Sequence, residues 1–237
     1  MTSARRRIIR PTLLTWIAAA GTLGVIVSSA VFLLGSYSSL PDLLPVKFNI
    51  RSHPIGWQYK TYARVLMPAI VQTALAIVLG SIGGLLLSRA HHETDAGVPD
   101  VVAASTAVEA IALVGFTWVA FQAYAAASLV DMWQRSRADL GDWYGWLTAV
   151  GIAASIAIGY RAHRRLGRPV PRAFVAEHWR FGHLYKNPDD PALFVPTRDG
   201  TRWTLNFGRP VAAALLGVAL VVGVVAPTVI LGLLLRA

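Results

Sequence analysis

Long apolar segments alternate with short polar segments along the whole chain. The apolar segments approach or exceed about 20 residues, the length of helix that crosses the roughly 30 Å hydrocarbon core of a bilayer at about 1.5 Å per residue. The pattern therefore predicts an all-α polytopic membrane protein with five transmembrane helices. The predicted spans lie within 1–35, which includes the N-terminal tail, and within 63–88, 101–127, 143–160 and 210–237. The segments that connect them are 36–62, 89–100, 128–142 and 161–209.

Composition and charge support this prediction and indicate an orientation. Hydrophobic residues make up 55% of the chain and charged residues 14%, whereas soluble domains carry about 25% charged residues. The formal net charge of +10 is typical either of a nucleic-acid-binding protein or of a membrane protein that keeps its basic residues in the cytoplasm. Of the 22 Lys and Arg residues, 15 fall in the N-terminal tail, in 89–100 and in 161–209, which share one side of the membrane. This asymmetry favours a cytoplasmic N-terminus, an extracytoplasmic C-terminus and no nucleic-acid partner.

A run of arginines follows the fourth predicted span. Between Arg161 and Arg172 the chain carries five arginines and no acidic residue. Near an anionic leaflet each such charge contributes roughly 1 kcal/mol to membrane binding. The lipid bilayer is thus a predicted partner, with anionic lipids at Arg161–Arg172.

The longest polar segment predicts a small cytoplasmic β-hairpin module between the fourth and fifth spans. Residues 193–195 have the composition of a strand, and 202–207 alternate polar and apolar side chains, so that one face of a second strand is apolar. Between them, Asp199-Gly200 predicts a two-residue turn in which both residues have positive φ. A lone hairpin is marginal in water, so Trp179 and other upstream aromatics are expected to cover it. Residues 174–179 are expected to form a short amphipathic turn with one apolar stripe.

The module carries a motif that resembles a bacterial domain of unknown function found in membrane proteins. The motif comprises Trp179, Gly182, Tyr185, Asn187-Pro188, Asp190-Pro191, Val195-Pro196, Arg198, Gly200, Trp203-Thr204 and Asn206-Phe207. The resemblance implies a fold and little chemistry, because no activity is established for that family. We predict that polar and aromatic residues of this region contact a cytoplasmic protein partner. These residues are Trp179, Tyr185, Asn187, Asp190, Arg198, Arg202, Trp203 and Asn206.

The segment 36–62 is predicted to be an extracytoplasmic loop that lies folded against the membrane face. Its prolines exclude a helix between Pro41 and Pro54, because each fixes φ and lacks a backbone donor. The loop motif resembles a module of unknown function that follows the first helix of Sdp-type immunity proteins, some of which protect bacteria against a secreted peptide toxin and relay its presence. The motif residues are Leu40-Pro41, Pro45, Phe48-Asn49, Gly56-Trp57 and Lys60, within a resemblance that covers Val31 to Gly80.

The resemblance implies a peptide ligand outside the cell, with Phe48, Asn49, Trp57 and Lys60 as predicted contacts. Lys47 stands where the family has a histidine, so a role that depends on that histidine does not carry over. An alternative stays open for the aromatic residues of the loop. They are also the residue types that anchor a protein at the membrane interface.

One carboxylate, Glu109, falls inside a predicted span, where a charge is costly and often functional. Two interpretations remain open: a proton-linked or ligand-binding carboxylate, and a structural hydrogen bond to a neighbouring helix. Two groups of His and acidic residues have ligand types that suit a metal, although solvated turns also explain them. The groups are His91, His92, Glu93 and Asp95, and His178, His183, Asp189 and Asp190. The sequence has no cysteine, phosphate-binding loop or dinucleotide motif, and we predict no enzyme activity, metal or cofactor.

Two functions are consistent with these patterns. The leading hypothesis is a non-enzymatic bacterial inner-membrane receptor or immunity-like protein, whose outer loop meets a peptide and whose module contacts a cytoplasmic protein. It rests largely on the resemblance. The alternative is a small transporter or channel subunit that uses Glu109 and the helices that contain Pro68 and Pro227.

Overall fold

The protein is mostly helical, with three two-stranded hairpins. The computed structural model describes residues 9–49, 51, 53–87, 98–138, 141, 143–166, 174–190, 192, 194–200 and 203–213. Its helices are α1 (Leu13–Ser36), α2 (Tyr62–Val65), α3 (Met67–Leu87), α4 (Val98–Arg135) and α5 (Trp143–Leu166). Its strands are β1 (Leu43–Phe48), β2 (Pro54–Tyr59), β3 (Trp179–Arg180), β4 (Leu184–Tyr185), β5 (Phe194–Pro196) and β6 (Trp203–Leu205).

Four helices of the described residues are long and apolar enough to span a membrane. These spans are Leu13–Ser39, Met67–Gly84, Ala104–Arg135 and Trp143–Leu166. Their outer faces carry exposed apolar side chains, including Trp16, Val27, Ile77 and Ile156, which suit contact with lipid. The first four predicted spans coincide with these helices, whose length and apolar composition indicate a membrane protein. The fifth predicted span lies almost entirely outside the described residues.

Two helices are longer than the hydrophobic pattern predicted. Helix α4 continues to Arg135, so most of the predicted loop 128–142 is helix. No Gly or Pro occurs between Phe116 and Leu140, and an Asp131–Arg135 ion pair of 2.8 Å supports the last turn. Helix α5 continues to Leu166 because its basic residues are good helix formers and interact favourably with the C-terminal end of the helix dipole.

The predicted second span is divided in two. The short helix α2 is capped by Thr61, whose hydroxyl accepts a hydrogen bond from the Arg64 N–H at 3.3 Å. Pro68 is the second residue of α3. Proline is tolerated there because the backbone N–H groups of the first turn make no hydrogen bond within the helix.

The loop 36–62 contains the hairpin β1–β2, which the sequence does not predict. Leu43 pairs with Tyr59 and Pro45 with Trp57, and the register shifts after Pro45. Prolines are tolerated here because both strands of a two-stranded sheet are edge strands. A hairpin therefore occurs on the segment before α2 as well as in the region after α5.

The chain divides into two compact units. The hairpin unit consists of 13–80 and 111–159, and the module unit consists of 1–12, 81–110 and 160–237. In the hairpin unit, Leu44 of β1 is fully buried in one hydrophobic cluster with residues of the helices. That cluster comprises Leu33, Leu40, Leu44, Val65, Ala69, Ala126, Val130 and Trp133. The hairpin is thus fixed to the helical part of its unit.

Candidate functional site

The described residues after α5 form two hairpins, β3–β4 and β5–β6. Both strands of the predicted hairpin, β5 and β6, occur, with Phe194 opposite Leu205 and Pro196 opposite Trp203. The predicted two-residue turn is wrong. Only Gly200 of the pair has positive φ, at 66°, and its N–H donates to the carbonyl of Thr197 at 2.8 Å. The last paired residues are 196 and 203, so the connection is longer than two residues.

The first hairpin of this region was not predicted. Trp179 pairs with Tyr185, and the turn between the strands has positive φ at Phe181 (52°) and Gly182 (77°). The expected turn within 174–179 is shorter than predicted, and the residues of its predicted apolar stripe line one cavity. Residues Ala176–His178 form a single 3₁₀ turn that leads directly into β3.

Asn206 binds the segment between the two hairpins to the end of β6. Its side chain is fully buried, and its Oδ1 accepts hydrogen bonds from the backbone N–H groups of Asn187 at 3.0 Å and Gly208 at 2.9 Å. Its Nδ2 donates to the carbonyl oxygens of Asn187, Asp190 and Ala192 at 2.8, 3.1 and 3.1 Å. The prediction placed Asn206 in a partner contact, but the structure uses its hydrogen-bonding capacity within the module.

Two other predicted contact residues also serve the module. Asp190 accepts hydrogen bonds from the Tyr185 hydroxyl at 2.9 Å and from the Ala192 N–H at 2.8 Å. The Asn187 side chain closes a turn by accepting from the Asp189 N–H at 3.0 Å. Gly208 lies so close to Asn187 that an added Cβ would meet the Asn187 carbonyl carbon at 2.4 Å. Residues 185–187 and 207–208 are therefore held together by backbone contacts at close range.

An aromatic pocket lies on the surface of this scaffold. We define it by Phe174, His178, Trp179, Tyr185 and Arg198, which line a cavity of about 60 Å³ together with Val195 and Pro196. The Trp179 and Tyr185 rings meet edge to face with centroids 5.3 Å apart, and His178 approaches Tyr185 at 5.8 Å. The volume corresponds to about two water molecules at roughly 30 Å³ each. The aromatic pocket is thus large enough for one small apolar side chain.

Arg198 gives the aromatic pocket a positively charged rim. Its guanidinium lies 4.5 Å from the centroid of the Phe174 ring, a cation–π contact, and the residue is exposed. Among the described residues no carboxylate pairs with it. Of the predicted partner contacts, the structure brings together Trp179, Tyr185 and Arg198. Arg202 lies outside the described residues, and only the backbone of Trp203 is described.

Glu109 is at the centre of an ion-pair cluster in the module unit. The side chain is 5% exposed, and its Oε1 contacts Arg161 at 2.8 Å and Arg165 at 2.6 Å. Its Oε2 accepts a hydrogen bond from the Thr12 hydroxyl at 2.7 Å. The prediction assigned the arginines to lipid contact and left the partner of Glu109 open. The cluster connects α4 to α5, and two half-exposed arginines share one carboxylate, which leaves a net positive charge.

The predicted contacts of the outer loop differ in their surroundings. Asn49 closes the hairpin turn, because its Oδ1 accepts from the N–H groups of Arg51 and His53, both at 2.9 Å. Lys60 holds the base of the hairpin by donating to the Leu40 carbonyl at 2.7 Å. Trp57 is 51% exposed and is therefore the predicted contact with the most accessible ring.

The groups considered for metal binding give no site in the described part of the chain. No three His, Asp or Glu side chains come together there as metal ligands. The group at 91–95 lies outside the described residues. His183 instead makes a local contact of 2.7 Å to the carbonyl of Phe181.

Comparison with known proteins supports one of the two resemblances. Residues 188–212 match the model of a family of unknown function, DUF5808. The matched segment contains β5, β6, Asn206 and Gly208. The chain is therefore similar to that family over the second hairpin and most of the residues that hydrogen-bond to Asn206. The match does not extend to the loop 36–62, and the immunity-protein resemblance stays a prediction. Comparison with curated proteins and with solved structures found no match.

Proposed function

We propose that this chain is a non-enzymatic membrane receptor that signals by holding a protein partner in the aromatic pocket. The observation that carries the proposal is the pocket itself: Trp179 and Tyr185 form its walls, and the exposed Arg198 forms its rim. Aromatic-lined pockets recognise single side chains of partner segments, and partly buried Trp, Tyr and Arg dominate binding energies at interfaces.

The chemistry of the pocket defines the partner segment. A cavity of about 60 Å³ fits one small apolar side chain or a proline ring. A guanidinium at the rim favours an acidic residue beside that side chain, because charge-assisted hydrogen bonds to Arg are stronger than neutral ones. The partner is therefore a protein segment with one apolar residue next to Asp or Glu.

A pair of charge reversals tests the pocket in the full-length protein. Arg198→Glu reverses the rim charge, and Arg180→Glu makes the same change on β3, outside the pocket lining. A photoreactive residue at Val175, which lines the pocket, would identify the partner, with the same residue at the exposed Lys186 as control. We expect a crosslinked protein from position 175 alone, lost in Arg198→Glu and kept in Arg180→Glu. Equal crosslinking from both positions, or an unchanged yield in Arg198→Glu, would refute the proposal.

We further propose the orientation and the role in immunity that the sequence indicates. The N-terminus and the module lie in the cytoplasm, five helices cross the inner membrane, and the hairpin β1–β2 lies outside, where Trp57 is available to a peptide. The distribution of Lys and Arg supports this orientation. A phosphatase fused after residue 237 is expected to be active, and a fluorescent protein fused there is expected to be dark. The opposite pattern excludes five spans.

The immunity-like role has a direct test in the host. Deletion of the gene is expected to increase sensitivity to a secreted peptide, and the wild-type gene is expected to restore resistance. Trp57→Ala is expected to fail in this complementation, whereas Trp146→Ala, which changes another exposed tryptophan, is expected to succeed. If the deletion strain shows no changed sensitivity to any secreted peptide, the immunity role is wrong while the pocket proposal stands.

The alternative function, a transporter that uses Glu109, has less support. Both oxygens of the Glu109 carboxylate are already engaged, one by two arginines and one by a threonine. A carboxylate that carries protons or substrate must exchange partners, and this one joins two helices. We therefore assign Glu109 a structural role.

A further inference from the structure

The hairpin unit contains a second cavity that the proposed function does not use. It is a groove of about 640 Å³, which we call the lateral groove, and it lies between α2–α3 and α4. Residues that line it include Arg64, Met67, Val71, Gln122, Leu129 and Trp133. Its walls are mainly apolar, and Met67 and Val71 are about half exposed, so the groove is open along the side of α3.

The dimensions of the lateral groove match one leaflet of a bilayer. Along α4 the lining runs from Gln122 to Trp133, a distance of about 16 Å at roughly 1.5 Å per residue. The hydrocarbon core of a membrane is about 30 Å thick, so half of it is about 15 Å. Because α3 and α4 are candidate spans, an open apolar groove of this length is suited to a lipid acyl chain.

Charge is found at one end of the lateral groove. Arg64 is half-buried at the start of the helical segment, and its guanidinium donates to the backbone carbonyl of Tyr59. Among the described residues it has no carboxylate partner. An unneutralised guanidinium beside apolar walls favours an anionic group on the ligand. At the other end, Gln122 Oε1 is buried and has no hydrogen-bond partner among the described residues. The charge complementarity of the groove therefore lies at the Arg64 end, and an acyl chain would leave the Gln122 oxygen without a donor.

We propose that the lateral groove is a binding site for an anionic phospholipid. One acyl chain lies along Val71 and Leu129, and the phosphate of the headgroup contacts Arg64. A phospholipid rather than a free fatty acid is the occupant, because the groove opens on a face that is surrounded by phospholipid. The site is distinct from the aromatic pocket and does not depend on the function proposed above.

Photoreactive lipids test this proposal on the full-length protein in a neutral detergent. The probes are phosphatidylglycerol, phosphatidylcholine and palmitic acid, each with a diazirine in the acyl chain. We expect phosphatidylglycerol to label peptides that contain Met67–Val71 or Leu129–Trp133. Unlabelled phosphatidylglycerol is expected to compete, and unlabelled phosphatidylcholine is expected to compete at least fivefold less well, since one Arg near the lipid surface is worth about a factor of five.

Matched variants separate the groove from the rest of the lipid-facing surface. Val71→Trp fills the groove from an exposed position, and Ile77→Trp makes the same change on the same helix outside the lining. We expect labelling to fall in Val71→Trp and in Arg64→Gln, and to persist in Ile77→Trp and Arg64→Lys. Equal labelling by phosphatidylcholine, stronger labelling by palmitic acid, or unchanged labelling in Val71→Trp would each overturn the proposal. Competition on the wild-type protein decides the headgroup preference even if a variant fails to fold.

Discussion

Substitution of Asn206 by Ala is expected to open the module while the membrane helices remain intact. The side chain is fully buried and satisfies five backbone groups that belong to four residues: Asn187, Asp190, Ala192 and Gly208. Alanine offers none of these hydrogen bonds. Each buried backbone group would then lack its partner or require a water molecule in its place.

The expected decrease in the stability of the module follows from the number of hydrogen bonds that the Asn206 side chain makes. The Asn206 amide has two N–H groups for three carbonyl oxygens, so one N–H is shared and the five contacts amount to about four full hydrogen bonds. A typical intramolecular hydrogen bond contributes about 1 kcal/mol net, which gives about 4 kcal/mol, and water that enters the cavity reduces this to about 3 kcal/mol. Asn187→Ala is a matched control, because the Asn187 side chain makes one hydrogen bond, to the Asp189 N–H, at an exposed turn. That change should cost about 1 kcal/mol or less.

Hydrogen exchange of the full-length protein in detergent measures the difference. When the module opens and closes faster than its amides exchange, the exchange rate reports the free energy of opening. A loss of about 3 kcal/mol should accelerate exchange in 184–190 and 203–208 about 100-fold, since each 1.4 kcal/mol is about tenfold. Amides in the middle of α4 should exchange as in the wild-type protein.

Two results would refute this reasoning. One is an Asn206→Ala variant that exchanges no faster than Asn187→Ala. The other is tolerance of Asn206→Asp. Aspartate keeps the shape and the acceptor that Asn187 and Gly208 use, but it places an oxygen against three carbonyl oxygens, so it should destabilise the module at least as much as Ala.

The other predictions concern the ion pair and the glycine contacts. Glu109→Gln should lower the thermal midpoint in detergent, at a cost of about 1–3 kcal/mol, less than for a fully buried pair because both arginines are half-exposed; loss of activity with an unchanged midpoint would instead favour the transporter hypothesis. Gly208→Ala should abolish protection of the module in limited proteolysis, because the added Cβ meets the Asn187 backbone. Gly182→Ala, at an open position with φ of 77°, should lower the stability of the module by only about 1 kcal/mol and keep it protected. Equal protease sensitivity of the two variants contradicts this prediction. Gly21→Leu should reduce the yield of folded protein on size-exclusion chromatography, because the Phe116 ring lies 2.8 Å from the position of an added Cβ. Gly24→Leu, which enters open space, should leave the yield unchanged. Similar elution profiles for the two variants would show that the contact between Gly21 and Phe116 is absent.

Hydrophobic patterning located the helices better than it located their ends. The third predicted span ends at Ala127 because polar residues become frequent there, but the helix continues to Arg135. Polar residues are compatible with a helix, and the segment contains no Gly or Pro that would end it. The same applies to the basic end of α5. A hydropathy pattern reports where hydrocarbon can surround a helix, and a helix need not stop there.

Tertiary contacts explain the features that the sequence could not predict. Prolines correctly excluded helix from the loop before α2, but the β1–β2 hairpin depends on Leu44 packing against residues distant in sequence. The alternation along 202–207 predicts Asn206 on the same polar face as Thr204. Strand β6 ends at Leu205, so the alternation no longer applies one residue later. The sequence predicts Trp179 and Arg198 as partner contacts from their residue types. It does not predict that they line one pocket, because they belong to different hairpin regions that only the fold brings together.

The ring of Phe181 contributes nothing to the fold that contains it. It is 88% exposed, and its φ of 52° costs a bulky residue about 1 kcal/mol that glycine would avoid. A fluorine or spin label at this position would therefore leave the module undisturbed. Its signal would report only what approaches the tip of the β3–β4 turn, whether headgroups, water or another macromolecule, and so would give the immersion depth of the module without any knowledge of its ligand.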